Sequence, residues 1–184
     1  MNRTDHKSPQ GLAPAALSEA QALGLVERLG AALSRRGWMM GTAESCTGGL
    51  LAGALTSIAG SSAWFERGFV TYSNAAKMAE ISVSADTLAR YGAVSEATAL
   101  EMANGVLLAT PEAHVAVSTT GIAGPGGATP GKPVGMVCFG FAMRNADGIT
   151  SHARTEVFSG DRARVRRASV EYALRGVLSL MGEE

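Results

Sequence analysis

A chain of 184 residues that is 46% hydrophobic is long enough to bury one core and suits a single α/β domain. Sixteen basic and sixteen acidic residues cancel to zero net charge, which argues against a nucleic-acid binder, because phosphate neutralisation needs a basic excess. No apolar run approaches the ~20 residues of a membrane span, and the 23 glycines fall in junctions rather than in a repeat, so membrane and collagen-like readings fail.

Residues 1–16 read as a disordered N-terminal tail, since the start is polar and lacks the apolar middle of a signal peptide; residues 17–184 are then the folded domain. Leu23, Val26, Leu29 and Leu33 have helical spacing, which predicts a helix over Ser18 to Arg36 that stops at Gly37. Trp38 to Glu44 reads as a strand, Thr47 to Ala59 as a helix and Phe65 to Ser73 as a second strand. Asn74 to Glu80 reads as a short helix or turn, and Ser84 caps another short helix that ends at Gly92. Ser95 caps the helix carrying Leu100, Ala103 and Leu107, and His114 to Ser118 is a short apolar strand.

A glycine–proline loop, Gly121 to Gly131, leads into Val134 to Ala142, whose unbroken apolar character fits a strand buried on both faces. Asn145-Ala146-Asp147-Gly148 marks a hairpin into the strand Ile149 to Phe158. The last helix, Asp161 to Met181, carries Val170, Leu174, Val177 and Leu178 along one face. This order predicts a three-layer α/β/α sandwich with a mixed, mostly parallel sheet, the one antiparallel pair lying at the Asp147-Gly148 hairpin.

Four stretches could carry chemistry. Glu44-Ser45-Cys46-Thr47-Gly48-Gly49 stands at a strand-to-helix junction, where a serine hydroxyl can project at the mouth of a sheet and the first-turn N–H groups favour an anion. The plainer alternative is an ordinary glycine-rich turn. Thr71-Tyr72-Ser73-Asn74-Ala75-Ala76-Lys77 follows the next strand. Serine needs a base, and none of His6, His114 and His152 lies in a glycine-rich loop, which leaves Lys77 as the base candidate and Tyr72 as a proton relay or a support for the lysine; the plainer alternative is a solvated lysine on a surface helix and a tyrosine with its ring in the core. Cys46 is a rival nucleophile, although only one of two neighbours at a strand end faces a cleft. Glu44 either orients the lysine or is a simple strand-end carboxylate.

Thr119-Thr120-Gly121-Ile122-Ala123-Gly124-Pro125 offers backbone N–H groups to a phosphate or carboxylate, but it matches neither dinucleotide nor triphosphate fingerprints. Gly160-Asp161-Arg162 and the arginines at 164, 166 and 167 either grip a phosphate or form a solvated face or dimer contact. The candidate substrate-binding residues are therefore Thr47, Gly48 and Gly49 in the first stretch, Asn74 in the second, and Thr120, Gly121 and Gly124 in the third. Cys46 and Cys138 share no CxxC spacing and have no His cluster nearby, so no metal, no cofactor and no disulfide is expected, and a reduced, cytoplasmic setting fits.

Together with Gly92-Ala93-Val94-Ser95 and Lys132-Pro133-Val134-Gly135, these stretches resemble the CinA C-terminal domain family of nicotinamide mononucleotide deamidases, in family order over nearly everything from Leu17 onward. The resemblance implies an amidohydrolase that converts nicotinamide mononucleotide to nicotinic acid mononucleotide and ammonia, with Ser45 as nucleophile and Tyr72 and Lys77 as its partners. It also implies a small-molecule nucleotide substrate and a homodimer. The competing reading is a non-catalytic mononucleotide-binding regulatory module. Gly126-Gly127-Ala128 departs from the family loop, which has a polar residue and then two glycines there.

Overall fold

The computed structural model describes residues 19–183. The expected tail at 1–16 lies outside the described residues. In chain order the elements are α1 (Glu19–Arg36), β1 (Met39–Glu44), α2 (Leu50–Leu55), a 3₁₀ turn (Ser61–Ala63), β2 (Phe65–Val70), α3 (Asn74–Ile81), α4 (Ala85–Tyr91), α5 (Glu96–Ala109), β3 (Ala113–Gly121), β4 (Met136–Asn145), β5 (Gly148–Val157) and α6 (Arg162–Leu180). Ser73, Ser84, Ser95 and Asp161 each cap a helix with a side-chain oxygen, so polar residues placed just ahead of apolar periods set these starts.

The five strands form one sheet in the order β2-β1-β3-β4-β5. β1 runs parallel to both β2 and β3, while β3–β4 and β4–β5 are antiparallel. The sheet is mixed as expected, but it has two antiparallel pairs rather than one. The physical reason is the glycine–proline connection after β3: it contains no helix, and a parallel return needs a long crossover.

Helices cover both faces. On one, α1, α2 and α6 enclose Leu29, Leu33, Met40, Leu51, Val115, Val117, Phe139 and Leu174. On the other, α3–α5 pack Ile81, Met102, Val106 and Leu107 against Ala43, Ala116 and Ala142. β3 alternates accordingly, with valines toward the first face and Ala116 toward the second. The small residues on the second face let α5 settle close to the strands. A Cβ at Gly140 would come within 2.1 Å of the Ala99 carbonyl oxygen, so that contact admits only glycine.

The first crossover, through α2, lies on one face, and the second, through α3–α5, on the other. They diverge at the C-terminal end of β1, the position where open α/β sheets form a ligand crevice. Register brings Glu44 opposite both Val70 and Thr119. The loops that follow β1, β2 and β3 therefore meet there.

Candidate active site

Ser45 leaves the end of β1 with its N–H donated to the Thr119 carbonyl, 2.9 Å away, so the ladder to β3 fixes its backbone. Its side chain is almost buried, and Lys77 Nζ donates to Ser45 Oγ at 3.0 Å. Lys77 stands on the first turn of α3, started by the Ser73 cap. Helical side chains lean toward the N-terminus, and this one reaches back to donate to the Thr71 carbonyl at 2.8 Å and, more distantly, to that of Tyr72 at 3.5 Å. Lys77 is 1% exposed and has no carboxylate partner among the described residues. Burial pulls its pKa down from the usual lysine value.

Cys46 turns away from Ser45 into the core between β1, α1, α2 and α6. Burial pushes its thiol up to about 12, outweighing nearby backbone N–H groups and Lys77, so it stays protonated at neutral pH.

Glu44, fully buried, accepts from the N–H groups of Gly49 (3.0 Å), Leu51 (3.0 Å) and Ala52 (2.8 Å). It neither orients the lysine nor stands idle at the strand end: it caps α2. This corrects two expectations. The helix is only Leu50–Leu55, because Gly48 and Gly49 hold positive φ of 55° and 93° and cannot extend it backward. The first-turn donors expected to receive an oxyanion around Thr47, Gly48 and Gly49 are largely taken, since Gly49 serves Glu44 and the Gly48 N–H donates to the Ser45 carbonyl. Among the described residues, the N–H groups of Cys46 and Thr47 donate to no oxygen, and both face the Cys46 sulfur.

The remaining expected residues fall into two groups. The Thr47 hydroxyl is buried against that of Thr119 at 2.7 Å, and Thr120 Oγ1 donates to the Ala93 carbonyl at 2.7 Å, so both hydroxyls are engaged in the fold. Gly121 is required by packing, since a Cβ there would lie 2.6 Å from the Met136 carbonyl. Asn74 stands at the exposed start of α3, and the carbonyl of buried Gly124 accepts from Arg162 Nη1 at 3.0 Å. The Tyr72 ring is 61% exposed; its hydroxyl accepts from Arg162 Nη2 at 3.1 Å and meets neither Ser45 nor Lys77. Only the backbone carbonyl of Tyr72 supports the lysine.

Two arginines of the 162–167 run have a part that sequence reasoning left open. Arg162 joins Tyr72 to the glycine–proline loop, and Arg166 donates to the Cys46 carbonyl (Nε, 3.2 Å) and the Thr47 carbonyl (Nη2, 2.7 Å). Their signal was faint but physical: arginines in a helix's first turns oppose its dipole and need other partners.

A model of the CinA C-terminal domain matches residues 23–181. The chain belongs to the CinA C-terminal domain family. It is 54% identical to the nicotinamide-nucleotide amidohydrolase PncC of Escherichia coli K12 over 159 residues, which cover 86% of this chain and 94% of that one. The PncC of Enterobacter agglomerans is 53% identical over 88% of this chain and 96% of its own length. Among solved structures, the competence/damage-inducible protein CihA of Agrobacterium tumefaciens aligns with a TM-score of 0.82 at 45% identity, covering 89% of this chain and 98% of that one. In this CinA-family chain, no group of three or more His, Cys, Asp or Glu able to hold a metal occurs among the described residues. No described helix is long and apolar enough to cross a membrane.

Proposed function

We propose that this protein hydrolyses the carboxamide of nicotinamide mononucleotide, giving nicotinic acid mononucleotide and ammonia, with Ser45 as nucleophile and Lys77 as its base. It is an amidase, by its kinship to amidohydrolases at 54% identity along almost their whole length. The observation that carries the mechanism is the 3.0 Å contact between Ser45 Oγ and a buried lysine amine with no acid beside it. In the neutral amine, the two N–H bonds point at the Thr71 and Tyr72 carbonyls, and the lone pair is left to accept the Ser45 proton.

Ser45 Oγ attacks the carboxamide carbon as its proton passes to Lys77. The carbonyl oxygen takes up the negative charge at the turn that follows Ser45. Collapse breaks the C–N bond, and Lys77 returns the proton to the leaving nitrogen, which departs as ammonia. Water, deprotonated by Lys77, then attacks the acyl ester, releases the carboxylate and restores Ser45.

Arg162 is exposed at the opening and has no carboxylate partner among the described residues. It is the natural partner for the substrate phosphate. Exposed Val70 and Leu50 beside the edge strand β2 fit the homodimer that the family resemblance implies. The free thiols Cys46 and Cys138 fit a reducing, cytoplasmic setting.

Ammonia release from nicotinamide mononucleotide by the purified protein, with a chelator present, tests this reading. Turnover that persists in the chelator and vanishes in Ser45→Ala is expected. No ammonia from the wild-type protein rejects the substrate.

A further inference from the structure

The turn that carries Ser45 is held at both poles by side chains outside the reacting pair. Glu44 takes N–H groups on the α2 side, and Arg166 takes two successive carbonyls, those of Cys46 and Thr47. A peptide unit is planar and trans, so its C=O and N–H point in opposite directions. The unit joining Thr47 to Gly48 is pinned at both ends, its oxygen on Arg166 and its N–H on the Ser45 carbonyl at 3.1 Å. The unit joining Cys46 to Thr47 is pinned at its oxygen by Arg166. Its N–H finds no oxygen acceptor among the described residues, and its nearest acceptor is the Cys46 sulfur, which is a weak one.

Arg166 is built for this task. Its helix is anchored by Val165, Ser169 and Val170, all buried. The guanidinium is half-buried and has no carboxylate partner among the described residues. It lies so close to the turn that a Cβ at Gly48 would stand 3.4 Å from Nη2. Two donors at fixed spacing on two successive carbonyls is a geometry that a guanidinium supplies and an ammonium does not.

From this geometry we infer that Arg166 is a positioning residue for the amidase reaction: by holding the Cys46 and Thr47 carbonyls it fixes the turn that sets Ser45 Oγ against Lys77. The inference rests on the serine mechanism proposed above. It assigns Arg166 no contact with substrate and no proton transfer. A nucleophile lowers the barrier only if it is already in place when the reaction begins, so loss of the clamp lowers kcat and leaves ground-state binding nearly untouched.

Arg166→Met and the charge-retaining Arg166→Lys test this with two readouts. The first is steady-state ammonia release from nicotinamide mononucleotide. The expected result is a fall in kcat of about 10- to 100-fold in both variants, below the ~10²–10³ lost with a whole oxyanion donor. KM should stay within about threefold, the pH midpoint of kcat should not move, and added guanidinium should recover part of the rate in Arg166→Met. The second readout does not depend on substrate identity. It is the rate at which a fluorophosphonate labels Ser45, forming the Oγ–P bond as fluoride leaves and Lys77 takes the proton. Labelling should slow about tenfold or more in both variants. If wild-type protein labels but releases no ammonia, the substrate is wrong and the labelling ratio still decides the role of Arg166. Equal labelling rates in wild type and variants, a rise in KM with kcat unchanged, or a displaced pH midpoint overturns the inference. Should Arg166→Met fail to fold, Arg166→Lys with wild-type kcat overturns it equally.

Discussion

Ser45 and Lys77 lie thirty-two residues apart in the chain and 3.0 Å apart in space. Two independent devices create that contact. The β1–β3 ladder fixes the Ser45 backbone through Thr119, and the Ser73 cap starts α3 where a lysine on its first turn must reach back over the Thr71 carbonyl. Neither device alone makes a reactive serine. Together they place a desolvated amine against a hydroxyl.

Lys77 gives the clearest pH prediction. Burial lowers its pKa, so the neutral, proton-accepting form becomes populated below the usual lysine value. The rate should rise with pH through that lowered pKa and then level off. Lys77→Met should remove the rise and cost about 10²–10⁴ in kcat. Stability moves in the same direction. The unfolded lysine binds its proton up to the ordinary value of 10.5, whereas the folded one releases it earlier, so the wild-type protein gains stability as pH climbs through that window. Lys77→Met should therefore melt at a higher temperature than wild type at neutral pH, by a margin that shrinks toward pH 10.5. Thermal unfolding at several pH values checks this, and an equal margin at every pH would count against it.

Cys46 should be dispensable for chemistry. Its thiol, pushed up to about 12 and packed in the core, is neither ionised nor aimed at the opening. Cys46→Ala should keep kcat within about threefold of wild type and cost roughly 1 kcal/mol or more of stability from the lost packing. Ammonia release and a denaturant titration read the two quantities separately.

Glu44→Gln should do more harm than its near-identical shape suggests. Three N–H donors converge on two carboxylate oxygens, and an amide presents one oxygen and an NH₂ that faces a donor. The expected loss is about 1–3 kcal/mol of stability, together with reduced kcat as the Ser45 turn loosens. A wild-type melting temperature with wild-type turnover would show that the carboxylate is replaceable.

Arg162 carries the prediction on substrate recognition. With nicotinamide mononucleotide, Arg162→Met should raise KM by about tenfold or more. With nicotinamide riboside, which lacks the phosphate, wild type and variant should differ little. Equal losses on both substrates would place Arg162 elsewhere in the mechanism.

Much of this was legible from residue order. Helix caps at Ser73, Ser84, Ser95 and Asp161 stand where short polar residues precede apolar periods, and the Asp147-Gly148 hairpin joins β4 to β5 as its turn residues predict. The parts that were hidden depend on contacts distant in sequence. Nothing local to Tyr72 says that its ring turns outward to Arg162, ninety residues later. Likewise, nothing near Arg166 announces the carbonyls of Cys46 and Thr47. α2 is shorter than its sequence suggests because the apolar spacing runs on to Ile58, while the positive φ of Gly48 and Gly49 and the back-bonded Thr56 hydroxyl bound it to six residues.

The most direct test of the central claim is mass spectrometry of the protein quenched during turnover of nicotinamide mononucleotide. A nicotinoyl-nucleotide ester on the peptide containing Ser45, absent from Ser45→Ala, is the predicted result. An adduct on Cys46, or undiminished ammonia release by Ser45→Ala, would contradict it.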